Sequence, residues 1–211
     1  MSKYQINKAQ DTIKSFDFKA EKRIIELYLK KMISKFIFTK ILGWKAIGSF
    51  PKDLKKYVVI AAPHTSWKDF PIAILGRNTF GTKINYIGKA SLFKPPFGFI
   101  FKWLGGSPVE RSKSTNKVDS IVNVFNKHAE FRLALSPEGT RKKVEKWKTG
   151  FYHIAQGAGV PILMGFLDFK RKTSGIAGTY TTTGDLEVDM NHIKSIYAPI
   201  SGKKSDQYNS Q

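Results

Sequence analysis

Two apolar runs that break at once into polar, turn-forming residues constrain this chain more than any other feature. The first is Val58-Val59-Ile60-Ala61-Ala62, followed by Pro63-His64-Thr65-Ser66-Trp67-Lys68-Asp69. The second is Leu133-Ala134-Leu135, followed by Ser136-Pro137-Glu138-Gly139-Thr140-Arg141. A short apolar run without alternation reads as a buried strand, and the proline, serine and glycine that follow mark a turn. Two strand exits with complementary chemistry predict one crevice at the carboxyl ends of strands in an α/β sheet.

Imidazole titrates near neutral pH, and a nearby carboxylate fixes its tautomer and stabilises its protonated form. His64 and Asp69 therefore make a candidate base with its orienting acid, suited to drawing a proton from an alcohol. A plain structural reading stands beside this one. Asp69 precedes Phe70-Pro71, where a helix cap belongs, and a histidine after a strand often serves structure alone. Ser66 invites a nucleophile reading, but no G-x-S-x-G elbow surrounds it, and it is expected to bond to backbone in its own turn. The chain has no cysteine, which excludes disulfides, thiolate metal sites and a cysteine nucleophile together. His128, His153 and His192 show no metal-ligand spacing with His64, and no nucleotide-binding glycine loop occurs.

The spacing from His64 to Asp69 resembles the H-x-x-x-x-D motif of the glycerolipid acyltransferases, the family containing 1-acylglycerol-3-phosphate acyltransferase. Glu138-Gly139-Thr140-Arg141 is similar to that family's E-G-T-R motif. Between them Gly106-Ser107-Pro108-Val109-Glu110-Arg111 resembles its glycine-to-arginine block, and after them Val160-Pro161-Ile162 resembles its V-P-I block. Pro63 stands where many members carry Asn, and Glu110 where Asp is common. The resemblance implies an O-acyltransferase moving a fatty acyl group from acyl-CoA or acyl carrier protein to the hydroxyl of a lysophospholipid. The expected acceptor is 1-acylglycerol 3-phosphate, giving phosphatidic acid, with His64 as general base and Asp69 its partner. Lys89, Arg111 and Arg141 are candidates to hold an anionic headgroup, because cations, and arginine forks above all, meet phosphate oxygens. Glu138 is expected to fix the Arg141 loop or contact acceptor hydroxyls, and Gly139 and Thr140 complete the substrate-binding turn. A thioester donor is reactive, so no metal or other cofactor is expected. Alternatives are the same chemistry on another lyso-lipid, such as a lyso-aminolipid, or a non-enzymatic basic protein binding nucleic acid or lipid.

At 211 residues the chain has the length of one domain. Its formal net charge of +20 attracts polyanions: anionic lipid headgroups, coenzyme A phosphates, an acidic carrier, or nucleic acid. No recognisable nucleic-acid module accompanies the charge, so no nucleic-acid partner is expected. Along residues 21–42, Ile25, Tyr28, Leu29, Met32, Phe36 and Ile37 recur at helical spacing among Lys22, Lys30, Lys31 and Lys35. Such a helix either lies in a membrane interface or packs on its own domain; its charges argue against spanning. Gly43 is expected to stop it.

Further on, a helix from Phe70 to Leu75 is expected to end at Gly76. Residues 83–88 read as a strand, and 91–104 as an aromatic stretch for acyl chain, lipid or core. Helices are expected over 114–128, 151–158 and 186–197, and strands over 160–166 and 176–183. Trp147 is an exposed-aromatic candidate in a charged loop. The organisation expected is an N-terminal amphipathic segment (1–43), a single α/β domain with a mostly parallel sheet (44–200), and a loose polar tail (201–211). The place expected is peripheral, on the cytoplasmic face of an inner or plasma membrane.

Overall fold

The computed structural model describes residues 24–109 and 117–204. The first apolar run forms β2 (Lys56–Ala62), and its alternation explains its composition. Val58, Ile60 and Ala62 enter the larger core, while Tyr57 and Val59 enter a second cluster with Ile84, Leu163 and Ile176. A strand covered on both faces must be apolar at every position.

Around β2 stand β1 (Lys45–Ile47), β3 (Asn85–Lys89), β4 (Gly106–Val109), β5 (Phe131–Leu135), β6 (Ile162–Asp168) and β7 (Thr173–Tyr180). They form one seven-stranded sheet in the order β1-β7-β6-β2-β5-β3-β4. All pairings are parallel except β6 with β7, which are joined by a short turn. The mostly parallel sheet read from the sequence is what the structure contains. Strand limits move by a few residues: β7 begins at Thr173 and β6 at Ile162, because partner strands rather than β-branched composition end a ladder.

Helices α4 (Lys117–Lys127), α5 (Gly150–Ala158) and α6 (Leu186–Tyr197) cover the face carrying Val58 and Ile60. Helix α6 is capped by Asp185, whose side chain accepts from the Glu187 and Val188 N–H groups. Trp147 is buried rather than exposed, packed edge-on against Tyr197 with ring centroids 5.3 Å apart. Its lysine-rich surroundings in sequence hide a single anchoring ring.

The opposite face is covered by α2 (Asp69–Phe80), which runs through Gly76 and ends at Gly81, where φ is +70°. Gly76 marks a close approach, not a stop: a Cβ there would lie 3.2 Å from the Ser174 hydroxyl and 3.6 Å from the Phe38 ring. Before the sheet, α1 spans 24–36 and passes into a π-helical turn, Ile37–Ile41, whose Phe38 is fully buried. Gly43, with φ +70°, then allows the chain to turn toward β1. A short α3 (Gly98–Trp103) precedes β4.

Candidate active site

β2 and β5 are neighbours in parallel, with Ile60 opposite Leu135, so both polar turns leave the same edge of the sheet. This brings together groups far apart in sequence. His64 Nδ1 lies 3.1 Å from Asp69 Oδ2, with the imidazole 33% and the carboxylate 2% exposed. A carboxylate beside Nδ1 keeps the proton there, which leaves Nε2 as the ring's acceptor. Asp69 opens α2 but does not cap it forward. Its Oδ2 accepts from the backbone N–H groups of Thr65 at 2.7 Å and Ser66 at 2.8 Å, upstream in the same turn. The carboxylate thus folds the turn around itself and holds the ring in the same act. Ser66 behaves as expected of a turn serine, accepting from the Lys68 N–H at 3.3 Å.

Glu138 joins the second turn to the first. Both its oxygens accept from the His64 backbone N–H, at 2.8 and 3.1 Å, and Ser136 Oγ donates to Oε2 at 3.1 Å. Burial pushes the Glu138 carboxyl above the usual carboxylate range, and nearby Asp69 adds to this; the bonds from His64 and Ser136 oppose it. The structure thus turns Glu138 inward onto the histidine's backbone. Ser136 and Thr65 belong to this arrangement and were missed by sequence reasoning, since neither residue type is distinctive inside a turn.

Gly139 has φ +66°, its N–H donates to Ser136 O at 3.2 Å, and a Cβ there would crowd the Lys148 side chain at 3.1 Å. Thr140 Oγ1 accepts from the Lys142 N–H at 3.3 Å, which shapes the loop that carries the exposed Arg141. Lys89 is the exposed last residue of β3, and Tyr86 of that strand pairs with Ala134 of β5, so Lys89 leaves the sheet at the same edge. Arg111 lies outside the described residues. Beside the first turn an apolar groove of about 400 Å³ is walled by Leu42, Trp44, Ile72, Leu75 and Phe169, together with Trp67 of the turn and the lysines 68, 172 and 203. His64 does not line it. Among the described residues no cluster of histidine and carboxylate side chains is arranged to hold a metal ion.

Such an arrangement defines a class: a parallel α/β domain presenting a histidine–carboxylate pair and a cationic turn at one sheet edge. This chain belongs to the acyltransferase family, whose model, described as Acyltransferase, matches residues 34–164. It is 36% identical over 132 residues to the 1-acyl-sn-glycerol-3-phosphate acyltransferase of Salmonella typhimurium, covering 58% of this chain and 52% of that protein. The protein of that name from Escherichia coli gives the same identity and coverage. The chain spans about half the length of these curated relatives. The crystal structure of the 1-acyl-sn-glycerophosphate (LPA) acyltransferase PlsC from Thermotoga maritima matches with a TM-score of 0.59 at 23% identity, over 87% of this chain and 85% of that one, which is a likeness of fold.

Proposed function

We propose that this protein transfers a fatty acyl group from a thioester donor, acyl-CoA or acyl carrier protein, to the free hydroxyl of 1-acylglycerol 3-phosphate, forming phosphatidic acid. His64 Nε2 takes the proton of the acceptor hydroxyl as its oxygen attacks the thioester carbonyl. The tetrahedral adduct collapses, the carbon–sulfur bond breaks, and the departing thiolate recovers the proton from the imidazolium. Asp69 keeps Nδ1 protonated and steadies the ring while it carries charge. The N–H groups of His64, Thr65, Ser66 and Gly139 already serve acceptors within the turns, so the oxyanion is met by other donors.

One observation carries the reading: a partly exposed imidazole held 3.1 Å from a buried carboxylate, on a turn gripped by a second carboxylate. The names of the matched relatives supply the acceptor. The groove, with lysines beside apolar walls, suits an anionic amphiphile. Lys89, Arg111 and Arg141 are assigned to the acceptor's phosphate.

A membrane surface is the partner this reading requires. Helix α1 leaves Ile25, Leu27, Tyr28, Met32, Ile33 and Phe36 exposed, and nearby Phe97, Phe99 and Trp103 are exposed as well. Lys30 Nζ sits 4.5 Å above the Trp103 ring and links the two patches. No helix among the described residues is long and apolar enough to cross a membrane. An amphipathic, lysine-bearing helix on a chain of net charge +20 supports a peripheral seat at an anionic bilayer interface.

The test is a purified protein assayed with labelled acyl-CoA and acyl carrier protein against a panel of lyso-lipids. Transfer is expected with 1-acylglycerol 3-phosphate and lost by roughly 10²–10⁴-fold in His64→Ala, whose circular dichroism stays that of the parent. Turnover retained in that variant removes the base assignment, and preference for a lyso-aminolipid replaces the acceptor.

A further inference from the structure

We propose that the C-terminal segment 201–204 is a strap that positions the His64 turn, through contact of Gly202 and Lys204 with Thr65. The proposal rests on His64 being the base. Residues 201–204 are not loose, as their polar composition suggests. After α6, Pro199 O accepts from Arg171 Nη1 at 2.9 Å, and Arg171 is itself bound to the buried Asp168 at 2.7 Å. The Phe169 N–H donates to Ser201 O at 3.0 Å, which fastens the segment to the β6–β7 turn. The next residue meets the catalytic turn: a Cβ on Gly202 would lie 2.9 Å from both Cγ2 and Oγ1 of Thr65 and 3.1 Å from Pro63 Cβ. Thr65 Oγ1 then accepts from the Lys204 N–H at 3.1 Å.

Thr65 is only 2% exposed, and its own N–H donates to Asp69 Oδ2 at 2.7 Å. A continuous path therefore runs from the β6–β7 turn through the strap to Thr65, to Asp69 and to the ring of His64. Glu138 holds the turn at the His64 N–H; the strap holds it at the next side chain. Thr65 is β-branched and short, so its side chain has little freedom to absorb a shift. Displacing a catalytic group by about 1 Å can cost on the order of 100-fold in rate, so the strap bears on turnover without touching substrate.

Gly202 does not occupy a left-handed backbone conformation, so alanine there tests the contact alone. In Gly202→Ala, kcat is expected to fall about 10-fold with KM held within about 2-fold. Amide exchange at Thr65 and Ser66 should quicken, because both N–H groups lose alignment with Asp69. Asp185→Ala, which uncaps α6, serves as the comparison: it should lower Tm and leave kcat unchanged.

Parental exchange at Thr65 and Ser66 in Gly202→Ala overturns the proposal. So does a loss of Tm alone, like that of Asp185→Ala. His64→Ala measured alongside separates the two claims. Turnover retained there removes the base assignment, whereas the exchange rates judge the strap with no reference to turnover.

Discussion

Glu138 carries a carboxylate to a place where 4% of the residue meets water, and three hydrogen bonds decide what that burial costs. Burial raises its pKa above that of the unfolded chain, so the folded state holds the proton more tightly. The stability this contributes is complete below the unfolded pKa and is lost as pH climbs through the folded one. Glu138→Gln cannot titrate. The urea midpoint of the parent, measured relative to Glu138→Gln, should therefore be higher near pH 4 than at pH 7. A difference that does not vary with pH would mean that the carboxyl titrates alike in both states. The types and spacing of His64, Asp69 and Glu138 are legible in the sequence. That Glu138 reaches the His64 backbone is not, because the bond spans 74 positions and exists only when β2 and β5 are neighbours.

Among the elements, α2 lies close to the sheet because residue 76 has no side chain, and the Ser174 hydroxyl and Phe38 ring occupy the space. Gly76→Val should overpack this contact and cost about 1–3 kcal/mol, read from the urea midpoint. An unchanged urea midpoint would mean that the space beside residue 76 is open. Helix α1 makes the opposite case. Sequence periodicity draws one apolar face over Ile25, Tyr28, Leu29, Met32 and Phe36, yet Ile24, Leu27 and Ile33 are exposed too. Only Ser34 is buried within α1, and the anchoring ring, Phe38, comes from the π-turn after it. Replacing Met32 and Phe36 together by glutamate should abolish co-sedimentation with anionic vesicles while leaving Tm within about 2 °C, since surface substitutions away from packed contacts change stability little. Unchanged sedimentation would assign those apolar residues to something other than lipid.

Over the whole molecule, the sheet edge that carries His64 depends on how β2 and β6 are joined beneath it. The fully buried Tyr197 closes α6, and its hydroxyl reaches Ile60 O at 3.1 Å and Gly165 O at 3.0 Å, one carbonyl on each strand. The β6–β7 register shifts between Met164 and Gly165, so this hydroxyl serves a carbonyl at an irregular point of the ladder. Tyr197→Phe keeps the ring and leaves both carbonyls without that donor, which should cost about 1–3 kcal/mol in a urea titration. A neutral result would show that water takes the donor's place.

By itself the sequence determined the class of fold and the chemistry of the two turns. A strand covered on both faces must be apolar throughout, and only polar, turn-forming residues can follow where it leaves the sheet. Strand order, the inward aim of Glu138, the burial of Trp147 and the descent of residues 201–204 onto Thr65 were decided by the tertiary structure. Each is a contact between distant segments, and such contacts follow from which strands lie side by side, information that no local pattern of residues carries.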